Sequence, residues 1–205
     1  MKFDEHIDIK ISKAYQMLGI IKRNFIYLTP DSFVVLYKSL VRSHLEYAVC
    51  VWNPHHQALI EKLEKAPKRA TKLVIAVKKC KYEERLKKLH LPTLKFRRIR
   101  GDMVEVYKIF SGKYDATVTS WLTDRHLESH YDLRGHRFSL NQSQICYDTR
   151  KYNFTNRIIS IWNGLPDTVI SATTVDTFKV QLDRFWQNQE FIYNWKTDIH
   201  TGNRS

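Results

Sequence analysis

Apolar residues recur at helical spacing through the first half of the chain. Ile7, Ile11, Tyr15, Leu18 and Phe25 follow one another with lysines between them, which predicts a first helix. Thr29-Pro30-Asp31 then supplies a cap, a first-turn proline and a first-turn acid, a strong start signal. The segment it opens, Phe33 to Trp52, is apolar on almost every face, the pattern of a helix at the centre of a bundle, and Asn53-Pro54 closes it. Leu59, Leu63, Ala66, Ala70 and Leu73 form the next stripe, and Lys62, Lys65, Arg69 and Lys72 line a neighbouring one on the same helix. Pro67 falls inside this pattern, where it removes a hydrogen bond and meets the Leu63 carbonyl, at a cost of ~3 kcal/mol or a kink. A basic helix follows over Tyr82 to Leu89. After a new start at Pro92, the stripe Phe96, Ile99, Met103, Val106 and Phe110 predicts a long helix. Its outer face would carry Lys95, Arg98, Asp102 and Glu105, with Arg98 and Asp102 one turn apart and able to pair.

The second half is less regular. Residues 113–135 read as a connector. Phe138 and Leu140, then Ile145 and Tyr147, alternate with polar residues around Asn141-Gln142-Ser143, which predicts a β-hairpin. Two helices should close this region. One spans about 150–163, with Phe154, Ile158, Ile161 and Trp162 inward and Gly164 and Pro166 as stop signals. The other spans about 175–188, with Val175, Phe178, Leu182 and Phe185. The expected fold is therefore mainly α. A helical bundle over 1–112 precedes a connector, a small hairpin with two C-terminal helices over 136–188, and a tail over 189–205.

Composition narrows the functional classes. With 43% hydrophobic and 27% charged residues, the 205-residue chain is globular in character. Six glycines and five prolines are too few for a turn-rich all-β fold, and the glycines are too scattered for a Walker loop or a dinucleotide fingerprint. Cysteines at 50, 80 and 146 are odd in number and far apart, which disfavours a disulfide scaffold or a zinc site. The longest apolar run, Tyr47 to Trp52, is far short of the ~20 residues that cross a bilayer, and no signal-peptide stretch follows Met1. An intracellular, reduced protein of the nucleus or cytoplasm is expected, without a membrane partner.

Charge changes the picture most. The net charge of +13 is concentrated between residues 61 and 100, where fifteen Lys or Arg face four Glu. Such density repels itself unless an anion meets it. A solvated face is the plain reading, and nucleic acid is the favoured partner. The candidate phosphate contacts are Lys62, Lys65, Lys68, Arg69, Lys72, Lys78, Lys79, Lys81, Arg97, Arg98 and Arg100.

Catalytic chemistry is not indicated. Two-metal nucleotidyl transfer needs clustered carboxylates, and the twelve aspartates form neither Asp-Asp nor Asp-x-Asp. His126 and His130 have the spacing of a helical metal pair but lie in the weakly periodic connector. His55-His56 follows a turn proline, and Cys146 has no histidine near it. Trp52, Trp162 and Trp186 sit at core spacings. No catalytic residue, metal or cofactor is expected.

Several ordered motifs carry a resemblance. Ile11-Ser12-Lys13-Ala14-Tyr15 with Leu18-Gly19 is one, and Leu36 to Tyr47 ending in Trp52-Asn53-Pro54 is another. Leu63-Glu64-Lys65 with Lys68-Arg69-Ala70-Thr71-Lys72, Tyr82-Glu83-Glu84-Arg85-Leu86 and Arg97 to Asp102 follow, then Val104 to Lys108. Arg134-Gly135-His136, Arg150-Lys151-Tyr152 and Ile161-Trp162-Asn163 with Leu165-Pro166 complete the order. Together they resemble the region beyond the palm in non-LTR, jockey-like (LINE-type) retrotransposon reverse transcriptases. Pro67 departs from that pattern, since the family usually has a helix-compatible pair at Ala66-Pro67. The resemblance implies a helical thumb and post-thumb region, non-catalytic on its own, because the family's catalytic aspartates lie upstream in the palm. It implies two partners: that palm domain, and RNA or an RNA–DNA hybrid held by its backbone. The other reading is a stand-alone helical interaction module whose basic block meets an acidic protein.

Overall fold

The computed structural model describes residues 3–127, 138–141 and 151–201. These residues are mainly helical, and no strand occurs among them. Two compact units are formed: Met1–Arg98 with Glu190–Thr197, and Ile99–Gln189 with Asp198–Ser205. The division between the units falls after Arg98.

In the first unit, α1 (Asp4–Asn24) buries Ile7, Ile11, Ala14, Leu18 and Ile21, a stripe stepping by four and three. Phe25 was expected to continue the stripe, but the helix has ended at Asn24 and its side chain stays exposed. α2 (Pro30–Leu36) starts as predicted: Thr29 Oγ1 accepts from the Ser32 N–H at 3.2 Å, with Pro30 in the first turn.

The single buried helix expected up to Trp52 is replaced by a broken rod. A π-helical stretch, Tyr37–Arg42, runs into α3 (Ser43–Glu46), and α4 (Val49–Trp52) follows a break at Ala48, which has φ +53°. The Trp52 indole N–H donates to the Tyr47 carbonyl at 2.7 Å across the break. Phe33, Tyr37, Val41, Leu45 and Val49 are buried, one every fourth residue. That spacing would drift around a 3.6-residue helix, and the wider π turn keeps it on one face. Val35, Tyr47 and Val51 lie on the other side and remain about two-thirds exposed, so the rod is not central to a bundle.

α5 (Gln57–Ala70) passes through Pro67 without ending, and the Thr71 N–H still reaches the Pro67 carbonyl. Short 3-10 turns at Thr71–Leu73 and Ile75–Val77 lead to α6 (Tyr82–Lys88), where the Glu84 carboxylate reaches back to the Lys81 N–H at 3.2 Å. The long helix α7 (Leu94–Phe110) is capped by Thr93, whose Oγ1 accepts from the Phe96 N–H at 3.1 Å. Thr93 also ties down residues 190–192: its N–H donates to the Ile192 carbonyl (2.8 Å) and its hydroxyl to that of Phe191 (3.1 Å). Phe191 and Trp195 are buried, so what the sequence suggested as a tail is part of the core as far as Thr197.

The unbroken α5 gives Pro67 a testable cost. Pro67→Ala should restore a donor to the Leu63 carbonyl and lift a helix-interior proline penalty of ~3 kcal/mol. It forfeits two buried ring carbons at ~0.8 kcal/mol each and some stiffness of the unfolded chain. The expected net gain is about 1 kcal/mol in urea unfolding. A lowered midpoint would mean that packing of the ring outweighs the lost hydrogen bond.

The second unit takes the remaining turns of α7, then α8 (Ala116–Leu127), α9 (Phe154–Arg157), α10 (Ile159–Asn163), α11 (Asp167–Ile170) and α12 (Val175–Trp186). α8 occupies most of the expected connector. Thr174 caps α12 through the Thr177 N–H at 3.1 Å. Tyr107 stacks on Phe178 at 4.2 Å and Phe110 on Trp162 at 5.7 Å between ring centroids. Arg98 and Asp102 do not face outward as predicted: each is about 3% exposed, and Asp102 accepts two hydrogen bonds from Arg157, at 2.9 and 3.0 Å. The first limb of the predicted hairpin is not a strand. The Asn163 amide takes up both backbone groups of Leu140 (2.9 and 2.8 Å), and the Trp162 indole donates to the Phe138 carbonyl at 2.8 Å. The second limb, with Ile145 and Tyr147, lies outside the described residues, as do His130, Cys146 and the His126 side chain.

Candidate nucleic-acid interface

α5 buries Leu63, Glu64, Ala66, Pro67 and Ala70, which leaves Lys62, Lys65, Lys68, Arg69 and Lys72 exposed. Their surroundings differ. Lys62 is spoken for by Asp8 of α1, at 2.5 Å. The Lys68 ammonium lies 5.6 Å from the Tyr82 ring and 5.9 Å from that of Trp195, and the Arg69 guanidinium lies 5.6 Å from the Tyr15 ring. These contacts orient the cations without neutralising them. Lys65 and Lys72 have no ion-pair partner among the described residues. Lys78, Lys79 and Lys81 stand exposed on the turn into α6, followed by Lys87 and Lys88 on the helix itself.

Arg85 belongs to the same basic block in sequence yet is buried. Its guanidinium donates to Thr71 Oγ1 (3.0 Å), the Cys80 carbonyl (2.7 Å) and the Lys68 carbonyl (3.3 Å). Burial lowers its pKa. Arg85 thus bolts the end of α5 to the loop carrying Lys78, Lys79 and Lys81, and so positions the exposed lysines. Glu64, also buried, accepts from the Tyr82 hydroxyl at 3.0 Å and the Lys95 N–H at 3.2 Å, which fixes α6 and the start of α7 to α5.

The remaining candidates are placed differently. Arg97 makes a two-pronged pair with Glu46, 3.0 Å on each side, and Arg98 is buried. Arg100, in the second unit, grips Asp183 in the same way at 2.5 and 2.7 Å. The cations turned to solvent therefore run from Lys65 to Lys88, not on to Arg100.

The fold adds a residue that the charge count did not single out. Lys22, in the last turn of α1, lines a cavity of about 150 Å³ with Tyr15, Leu18, Gly19, Arg69 and Leu73. The signal for it was a basic helix end four residues before a turn, which gains meaning only once α1 is known to pack on α5.

Such a surface can hold polyanions by charge. Among the described residues no group of three or more His, Cys, Asp and Glu could hold a metal ion, and no helix is long and apolar enough to cross a membrane. No family model, curated protein or solved structure matches the chain.

Proposed function

We propose that this chain is the thumb-like, non-catalytic C-terminal part of a non-LTR retrotransposon reverse transcriptase, and that it grips template–primer nucleic acid through phosphates while an upstream palm domain performs the chemistry. The observation that carries the binding role is the exposed run of cations from Lys65 to Lys88, most of them clear of carboxylates and set on a surface that Arg85 and Glu64 hold in place. The polymerase origin rests on the motif resemblance. Backbone contacts fix a protein on a duplex without reading sequence, and lysine-rich helix faces serve that purpose.

The test is a salt titration of binding to an RNA–DNA hybrid, duplex RNA and duplex DNA. If about five cations meet phosphates, log affinity should fall against log salt with a slope near roughly −4.5. Lys65→Ala with Arg69→Ala should flatten the slope by about 1.8 and weaken all sequences alike. The hybrid and duplex RNA should bind at least as well as B-form DNA. A slope near zero would overturn the reading, as would an unchanged slope in a folded double variant.

A further inference from the structure

The cavity between α1 and α5 is lined by two cations, an aromatic ring and two leucines, with no carboxylate among its walls. We propose that it takes one unpaired nucleotide next to the gripped duplex, with the base against Leu18, Leu73 and Tyr15 and the phosphate between Lys22 and Arg69. The proposal rests on the nucleic-acid reading above and specifies a second kind of contact.

Size, charge and shape each support this occupant. About 150 Å³ is half the smallest usual ligand pocket, ~300 Å³, and so suits a single base rather than a whole cofactor. The exposed Lys22 and Arg69 line the cavity together with buried Leu18 and half-buried Leu73 and Tyr15, which matches a ligand with a flat apolar face and an attached anion. The Arg69 guanidinium lies 5.6 Å from the centre of the Tyr15 ring, so a cation and an aromatic face already stand together where a base would enter. Bases within a duplex are stacked on each other and cannot enter a side cavity, so the occupant is unpaired.

Gly19 forms part of the cavity wall. It lies inside α1, one turn and a half before the helix ends, where glycine is a poor helix former, and a Cβ built there meets nothing within 4 Å. A larger side chain at this position would occupy the space without a clash and without changing any charge.

The experiment is an anisotropy titration of the full chain against a blunt RNA–DNA hybrid and the same hybrid with a short single-stranded overhang. Wild type should bind the overhang form about tenfold more tightly, in keeping with one stacked base. Gly19→Leu should erase that preference while leaving blunt-hybrid affinity and its salt slope unchanged. An abasic overhang makes the same test on the unaltered protein: it keeps the phosphate but lacks the stacked base, and should lose most of the tenfold preference. Equal binding of blunt and overhang hybrids by wild type would overturn the cavity's role and leave the duplex grip standing. So would a preference that survives Gly19→Leu or stays undiminished with the abasic nucleotide. Failure to bind either hybrid would overturn the grip and this inference together.

Discussion

Asp102→Ala should destabilise the second unit by about 3–5 kcal/mol, the cost of leaving one member of a buried ion pair without the other. The Asp102 side chain is 5% exposed and that of Arg157 16%, and the two meet through parallel hydrogen bonds at 2.9 and 3.0 Å. Arg157 is fixed from other sides too: it donates to the Tyr152 carbonyl at 3.4 Å and lies 5.3 Å from the Phe154 ring. The guanidinium therefore cannot follow its lost partner into water without unseating α9. Asp102→Asn keeps one acceptor but turns the other oxygen into a donor facing a donor, so it should fall between alanine and wild type. The exposed pair of Lys179 with Asp176 serves as control, and Asp176→Ala should leave the unfolding midpoint in place. Equilibrium urea unfolding followed by circular dichroism reads all three. A loss under about 1 kcal/mol for Asp102→Ala would mean that the pair is dispensable.

The helical periods of α1, α5, α7 and α12 were legible because each spans at least three turns and buries one face. The Thr29 cap was legible because its chemistry is local. The break at Ala48 was not, since alanine's small side chain gives no sign of a positive φ. Nor was the return of Phe191 and Trp195 to the core. Two buried aromatics four residues apart make no period, and the hydrogen bond holding them in place joins residues 98 positions apart.

The candidate interface divides in the same way. A count of charge located the block, but its partition depended on carboxylates far off in sequence: Glu46 lies 51 residues from Arg97, and Asp183 lies 83 from Arg100. One local clue was available. Of the five arginines between residues 61 and 100, only Arg69 is exposed, while every lysine there except the half-buried Lys95 faces solvent. Arginine's planar fork suits buried, multiply bonded positions, and lysine's strongly hydrated ammonium does not. Residue type alone would therefore have separated most of the block into inner and outer charges.

Glu64 provides the sharpest test of how that outer surface is held. Glu64→Ala should cost about 3–5 kcal/mol at neutral pH, since it removes the buried carboxylate that attracts Arg98 and that accepts from Tyr82 and from the first turn of α7. Glu64 is about 1% exposed. Desolvation raises its pKa, and the opposing pull of Arg98, the Tyr82 hydroxyl and the backbone N–H groups of Lys95 and Leu94 does not cancel the rise. Burial likewise keeps the Tyr82 phenol protonated, and so a donor. With a folded pKa above the unfolded value of 4.5, the folded state holds this proton more tightly than the unfolded chain does. The stability linked to that proton is complete below pH 4.5 and is lost as pH rises through the folded pKa. Glu64→Gln has no such proton, and its amide still offers an oxygen to the Lys95 N–H, so it should cost less than alanine. Its deficit relative to wild type should also shrink as pH rises from about 4 to 7. Unfolding titrations of the three proteins across that range give the answer. A glutamine deficit that stays constant with pH would show that Glu64 is ionised with equal ease in the folded and unfolded chain, and that Arg98 fully offsets its burial.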